Sequence, residues 1–305
     1  MELFVQANSK TNIKKLSALG IQYIAVGMEQ FSLRQALTVS YEELATICTL
    51  PTHIYVLVNA LVEQKYLPAL SKHLETLASV GIAGVLFQDF SVLQIVKENE
   101  YPYECIYAPD TLNTNFQTLR YLHTEGVSGA YLAREIPLSE KLEIQKEVNM
   151  PCFIQIHGVE YMAHSKRNLL QNYLDAIDHT TDHNQHVYTV EAKNAQPCYI
   201  YQDSYGTHMV TKGQLTSVDV LDQMGDIAFG VIESLYMKEQ ELLDIVALYQ
   251  EALRDQKKDT YKPEEYVLAL EKIQPNVTYT HSFLFDQTVY KMEDVRKREA
   301  NEKCK

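Results

Sequence analysis

Residues 53–89 read HIYVLVNALVEQKYLPALSKHLETLASVGIAGVLFQD. An apolar run, 53–60, is followed by a helical pattern over about 66–79 and then by a second apolar run, 84–89. Fully buried parallel strands read as continuous apolar runs of this kind. The stretch therefore reads as strand, helix, strand, with the two strands parallel.

The same rhythm extends to both sides. LFVQA precedes a helical stretch near 10–19, and YIAVG (23–27) precedes a helix at 40–48. Ser40 with Glu43 three residues later is a capping-box signature for that helix. Downstream, 90–98 reads as a helix, YECIYA (103–108) precedes a helix at 112–124, and GAYLARE (129–135) precedes one starting after Ser139. CFIQIHG (152–158) precedes another. A β excursion follows, with strands near 186–191 and 198–202 and a turn at Ser204–Gly206. SVDVLDQM (217–224) reads as helical, IAFGVIE (227–233) as a strand, and 238–254 as a helix. Such repeated units argue for a closed (β/α) barrel or an open doubly wound sheet. The expectation is a TIM-like (β/α)8 barrel over residues 1–254 with a β insertion at about 184–212 before the last strand. A linker and small C-terminal extension occupy 255–305, with a helix after 262 and a strand pair around 279–290.

Composition narrows the function. Of 305 residues, 46% are hydrophobic and 22% charged, ordinary for a soluble globular protein. The formal net charge is −13, which excludes a broadly basic chain that coats nucleic acid unaided. The first residues show no basic segment followed by an apolar stretch, and no run of about 18 apolar residues suggests a membrane span. The cysteines, at 48, 105, 152, 198 and 304, form no C-x-x-C pair and are odd in number. Free thiols in a reducing cytoplasm are the expectation.

In a (β/α) barrel, chemistry gathers at the C-terminal ends of the strands. The polar residues there are Glu29, Arg34, Asn59, Gln88, Asp89, Asp110, Asn113, Arg134, Glu135, His157 and Glu233. Arg34 or Arg134 could clamp a carboxylate bidentately. Arg34, Arg134 and His157 are expected to point into one cleft. His157 with Glu160 invites an acid–base or metal reading, although a His beside Gly at a strand end is more often structural. His179, His183 and His186 with Asp178 and Asp182 resemble a metal cluster, but Thr180, Thr181 and Asn184 are turn formers, so a solvated loop is the expectation. No P-loop, G-x-G-x-x-G, H-E-x-x-H or G-x-S-x-G occurs.

Particular strings carry a resemblance. PCFIQIHGVEYMAHSKRNLLQNYL (151–174) resembles the signature segment of the collagenase-like peptidase family, U 32, matching at His157, Gly158, Ser165, Arg167, Leu169 and Leu170. YIAVGMEQFSLR, LVNALV, VLFQDFSVL, YLAREIPLSE, YQDSYGTHMVTKGQL and IESLYMKE resemble its other strand ends, in order. The resemblance implies one of three roles. The favoured one is a subunit of a tRNA wobble-uridine 5-hydroxylation system. The others are a collagenase-like peptidase and a non-catalytic scaffold that stabilises a paralogue. Cysteine-rich members hold an iron–sulfur cluster on four cysteines, but here two of those positions carry Tyr161 and Asn168. The resemblance thus implies no cofactor on this chain alone, a cluster on a cysteine-rich paralogue as partner, and tRNA bound through the complex. It names prephenate or a related carboxylate as a ligand. The site it implies has His157, Arg134, Glu135 and Glu233 as catalytic residues. Arg34, Asn59, Gln88, Asp89, Arg167 and His208 bind the ligand.

Overall fold

The computed structural model describes residues 1–109, 111, 113–178, 187–191 and 197–286. Eight parallel strands close into a ring: β1 (Glu2–Gln6), β2 (Tyr23–Met28), β4 (His53–Val58), β5 (Gly84–Phe87), β6 (Glu104–Tyr107), β7 (Gly129–Tyr131), β8 (Cys152–Ser165) and β12 (Phe229–Ile232). The ring closes because β12 pairs in parallel with both β1 and β8. A two-residue strand, β3 (Thr38–Val39), adds to β2. The expected TIM-like (β/α)8 barrel is the fold.

Alternation along the strands explains the apolar runs. Phe4, Tyr55, Leu57, Leu86, Ile106, Phe153 and Val231 meet inside the barrel. Their neighbours Leu3, Val5, Ile54, Val56, Val58, Val85, Cys105, Cys152 and Ile154 face outward under the helices. Successive side chains of a strand point to opposite faces, and here both faces are dry, so polar residues such as Gln6 and Gln155 enter the runs only where they line the pocket. The inner layer is aromatic: Phe153 stacks on Phe229 with ring centroids 4.4 Å apart and meets Phe4 edge-on at 5.4 Å.

The helices begin where local chemistry starts them. In α2 (Tyr41–Ile47), Ser40 and Glu43 form the expected capping box. Asp89 caps α4 (Phe90–Glu98) and Asn115 caps α5 (Phe116–Thr124), which therefore starts later than the 112 expected. Around the ring also lie α1 (Lys10–Ala18), α3 (Leu67–Val80), α6 (Leu138–Glu147) and α8 (Glu239–Lys257), whereas α7 (Leu169–Ala176) packs on strands of the insertion, its Leu169 N–H donating to Thr207.

Two segments depart from the sequence reading. The strand at 152 does not stop at Gly158 but runs to Ser165, because its outer half pairs antiparallel with β11 (Gly206–Thr216). With β10 (Cys198–Asp203) and β9 (Tyr188–Val190) this makes a flap that rises above the C-terminal rim. Residues 217–224 are not helical apart from a short 3-10 turn, Leu221–Gln223. The Ser217 N–H donates to the Ile156 carbonyl and to the Tyr249 hydroxyl, which prolongs the strand pairing by one residue, and the Val220 N–H then turns back to the Ser217 carbonyl.

The last described segment packs on the barrel. After α9 (Pro263–Ile273), β13 (Tyr279–Thr280) pairs in parallel with β11 at Gln214–Leu215. The expected strand pair within 279–290 is not formed by the described part, and 287–290 lie outside the described residues. So do Asp110, His179, His183, His186 and Asp182. No helix among the described residues is long and apolar enough to cross a membrane.

Candidate functional site

A pocket opens at the C-terminal ends of the barrel strands, beneath the flap. Gln6, Leu57, Leu86, Tyr131 and Gln155 form part of its lining, and Arg34, Asn59, Arg134, Lys141, Glu160, Tyr161 and Glu233 supply most of its polarity.

Arg34 comes from the loop after β2. That loop is tied at several points. Ser32 accepts from the Met28 N–H and donates to the Leu57 carbonyl. The Asn59 side chain accepts from the Leu33 N–H at 2.7 Å and donates to the Leu33 carbonyl at 3.2 Å. From the flap, the Tyr205 hydroxyl accepts from the Phe31 N–H at 2.7 Å. These bonds hold Arg34 at φ +58°, a left-handed backbone that costs a non-glycine residue energy.

Arg134 comes from the loop after β7. Its Nε lies 3.5 Å from a Glu135 carboxylate oxygen. Both arginines lie over one ring: the Arg34 Cζ is 4.6 Å from the Tyr161 centroid and the Arg134 Cζ 5.5 Å. A guanidinium within about 6 Å of an aromatic face is attracted by the ring's quadrupole. Tyr161, on the flap part of β8, thus holds two like charges together that would otherwise repel.

Lys141 and Glu160 add a buried pair of opposite sign. Burial pushes the Lys141 ammonium down to about 8, against the pull of Glu160, Glu135 and Glu140. Burial raises the Glu160 carboxyl, while a hydrogen bond from Ser282 and the charges of Arg134 and Lys141 work the other way. Ser282, Phe283 and Leu284 of the C-terminal segment form one side of the pocket. They are held there by His281, whose Nε2 lies 2.9 Å from Asp219 Oδ2, and by the Leu138 N–H, which donates to the Leu284 carbonyl at 2.8 Å.

Of the residues expected at the site, Arg34, Asn59, Arg134 and Glu233 line the pocket. Glu135 sits beside Arg134 at its edge. His157 does not join them. The pairing of β8 with β12 shifts register between Val231–Gln155 and Ile232–His157, so two steps on β8 oppose one on β12. Such a bulge re-aims the side chains beyond it. His157 is fully buried against Tyr249 of α8, its Nδ1 3.4 Å from the Tyr249 hydroxyl, and burial pushes its imidazole down to about 3. The expectation of one cleft for Arg34, Arg134 and His157 is therefore met by the two arginines only.

The other expected ligand residues lie elsewhere. His208 is buried in the flap, stacked between His164 and Tyr201, with Nε2 2.9 Å from Asp203. Arg167 is exposed at the flap's end. Gln88 donates to the Asn59 carbonyl at 3.5 Å, outside the pocket lining. Asp89 is a cap: it accepts from the N–H groups of Ser91 at 2.9 Å and Val62 at 2.8 Å. Asp89→Ala is expected to lower stability by about 1–2 kcal/mol, the usual worth of such a cap, and to leave ligand binding in the pocket unchanged. Urea unfolding alongside a binding titration measures both.

Sequence reasoning missed Lys141, Gln6, Gln155 and Ser282 as lining residues. Gln6 and Gln155 carried a signal, since each is the polar residue breaking an apolar run. Lys141 sits in an ordinary polar helix pattern and Ser282 in the C-terminal segment, so neither carried one.

Among the described residues the thiols do not gather as a four-cysteine cluster requires. Cys105 and Cys152 face outward under the helices, where burial pushes both up to about 12, and Cys48 is pushed up to about 11. Among the described residues no three His, Cys, Asp or Glu side chains group to hold a metal ion.

The model of peptidase family U32 matches residues 8–294. This chain belongs to peptidase family U32. Within that family's likenesses, tRNA hydroxylation protein P2 of Bacillus subtilis (strain 168) is 27% identical over 307 residues, covering 95% of this chain and 99% of the relative. tRNA hydroxylation protein P1 of the same organism is 24% identical, covering 58% of this chain and 43% of the relative. tRNA hydroxylation protein P of Escherichia coli (strain K12) is 26% identical over 58% of this chain and 40% of the relative. The chain thus spans nearly all of the first relative and under half of the other two.

Proposed function

We propose that this U32 chain is a subunit of a tRNA hydroxylation system, acting on the wobble uridine at its 5-position beside a cysteine-rich paralogue. The observation that carries the reading is the end-to-end likeness to tRNA hydroxylation protein P2, which covers 99% of that protein. The partner supplies the iron–sulfur cluster, for which this chain's described thiols form no group. It also supplies the basic surface for tRNA, since this chain carries a net charge of −13. A cytoplasmic place follows from the same reading.

The rim pocket is the ligand site, and prephenate or a related carboxylate is its ligand. Arg34 and Arg134, gathered on Tyr161, hold a carboxylate through charge-assisted hydrogen bonds. Glu160 and Glu233 line the same pocket, where they set its polarity opposite the two arginines. Asn59 keeps the Arg34 loop in shape. The hydrolase reading has less support: a protease needs an activated nucleophile, and burial holds the Cys105 and Cys152 thiols protonated.

Mass spectrometry of tRNA nucleosides from a deletion strain tests the function. Loss of 5-hydroxyuridine derivatives is expected, with recovery on returning the gene; an unchanged nucleoside profile sinks the reading. For the pocket, Arg134→Ala is expected to weaken prephenate binding by about 1.5–3 kcal/mol, the range for hydrogen bonds to charged groups. Calorimetry on the purified protein measures it, and equal affinities for wild type and variant would remove Arg134 from the site.

A further inference from the structure

Lys141 is the least expected residue of the pocket. It lies at the start of α6 with 3% of its surface exposed. Lysines are almost never this buried unless they are paired. A methionine or leucine would fill the same space without the cost of desolvating an amine. Its bonds identify what the amine does. Nζ donates to the Ile136 carbonyl at 2.8 Å and to the Arg134 carbonyl at 3.2 Å. Both carbonyls belong to the turn between β7 and α6, the turn that carries Arg134 over the Tyr161 ring.

We propose that Lys141 is a positioning residue for Arg134: its ammonium group clamps the Arg134 and Ile136 carbonyls and so fixes the turn from which the guanidinium reaches the pocket. The proposal rests on the reading of the pocket as a carboxylate site only for what Arg134 binds; the clamp stands on the bonds themselves. An ammonium has three donors, two of which the carbonyls take. The acidic groups facing it are Glu160 of β8, Glu135 of the same turn and Glu140 of its own helix. Arg134 is the nearer along the chain of the pocket's two arginines. A charged donor makes a hydrogen bond roughly twice as strong as a neutral one. Loss of the proton therefore loosens the clamp without abolishing it.

Arginine-selective modification with phenylglyoxal, mapped by peptide mass spectrometry, reads the position of Arg134 without any ligand. The rate at Arg134 is divided by that at Arg254, which is exposed on α8 and remote from the pocket. Lys141→Met is expected to raise this ratio roughly ten-fold or more, the scale for losing a hydrogen bond to a charged group. Lys141→Arg, which keeps donors in place, is expected to stay near the wild-type ratio. In the wild type the ratio is expected to climb between pH 7 and pH 9, and in Lys141→Met to stay flat. A ratio within twofold of wild type in a folded Lys141→Met overturns the proposal. If Lys141→Met does not fold, the wild-type pH profile decides, and a flat profile overturns it. A raised ratio together with unchanged tRNA hydroxylation in the deletion strain would support the clamp while removing the functional reading.

Discussion

Acidification from pH 7 to pH 4 is expected to unfold this protein cooperatively. His73 and His157 are 2% and 0% exposed, and burial pushes them down to about 4 and about 3. In the unfolded chain both return to about 6.5. Below pH 6.5 the unfolded state takes up two protons that the folded state resists, so stability falls as pH falls. Above pH 6.5 both are neutral in either state and the penalty is absent. At 1.36 kcal/mol per unit, the two together remove roughly 6 kcal/mol by pH 4. A domain holds only about 5–15 kcal/mol in all. Circular dichroism across pH 7 to 3 follows the transition. His73→Gln, which keeps an acceptor for the Tyr41 hydroxyl now bonded to His73 Nδ1 at 2.7 Å, is expected to move the midpoint to lower pH. A wild-type midpoint below pH 4 would contradict the account.

Gly158→Ala is expected to lower stability by roughly 3 kcal/mol or more, the upper end for a strained backbone residue. Gly158 has φ +111°, a conformation that L side chains rarely adopt, and an added Cβ would sit 2.2 Å from the Glu233 carbonyl oxygen. That oxygen is backbone, so no rotamer change relieves the clash. The Glu233 N–H donates to the His157 carbonyl at 3.0 Å, so displacing residue 233 also breaks the seam between β8 and β12. Denaturant unfolding measures the loss, and prephenate affinity measures what happens to Glu233. A variant as stable as wild type would show that the strand leaves the barrel differently from the way described.

The barrel was legible because burial on both faces writes strands as apolar runs, as in HIYVLV and GVLF. The insertion was legible as a change of rhythm, although not its extent: the eight residues of β8 beyond His157 break the apolar run with Gly158 and Glu160 and leave Met162 and Ala163 exposed. Arg34 and Arg134 were legible as cations placed just past apolar runs. His157 met the same criterion and went elsewhere, since a bulge against β12 is invisible in one strand read alone. SVDVLDQM has helical spacing, yet Tyr249, far along the chain, takes the Ser217 N–H. Lys141 and Ser282 reach the pocket only through tertiary packing, by way of a helix start and a late strand.

The placement of Ser282–Leu284 in the pocket wall has a consequence for how the protein is made. Synthesis runs from the N-terminus at roughly 5–20 residues per second. The ring of strands has all its members once β12 has emerged, but the wall of the pocket comes about 50 residues later, an interval of roughly 3–10 s at those rates. During it the nascent chain can hold a closed barrel with an unfinished pocket. The pocket's full wall then becomes available only after every strand of the ring has emerged. A chain interrupted near residue 262 would be a decoy: a closed barrel that still presents Arg34 and Arg134 but lacks the wall beside them.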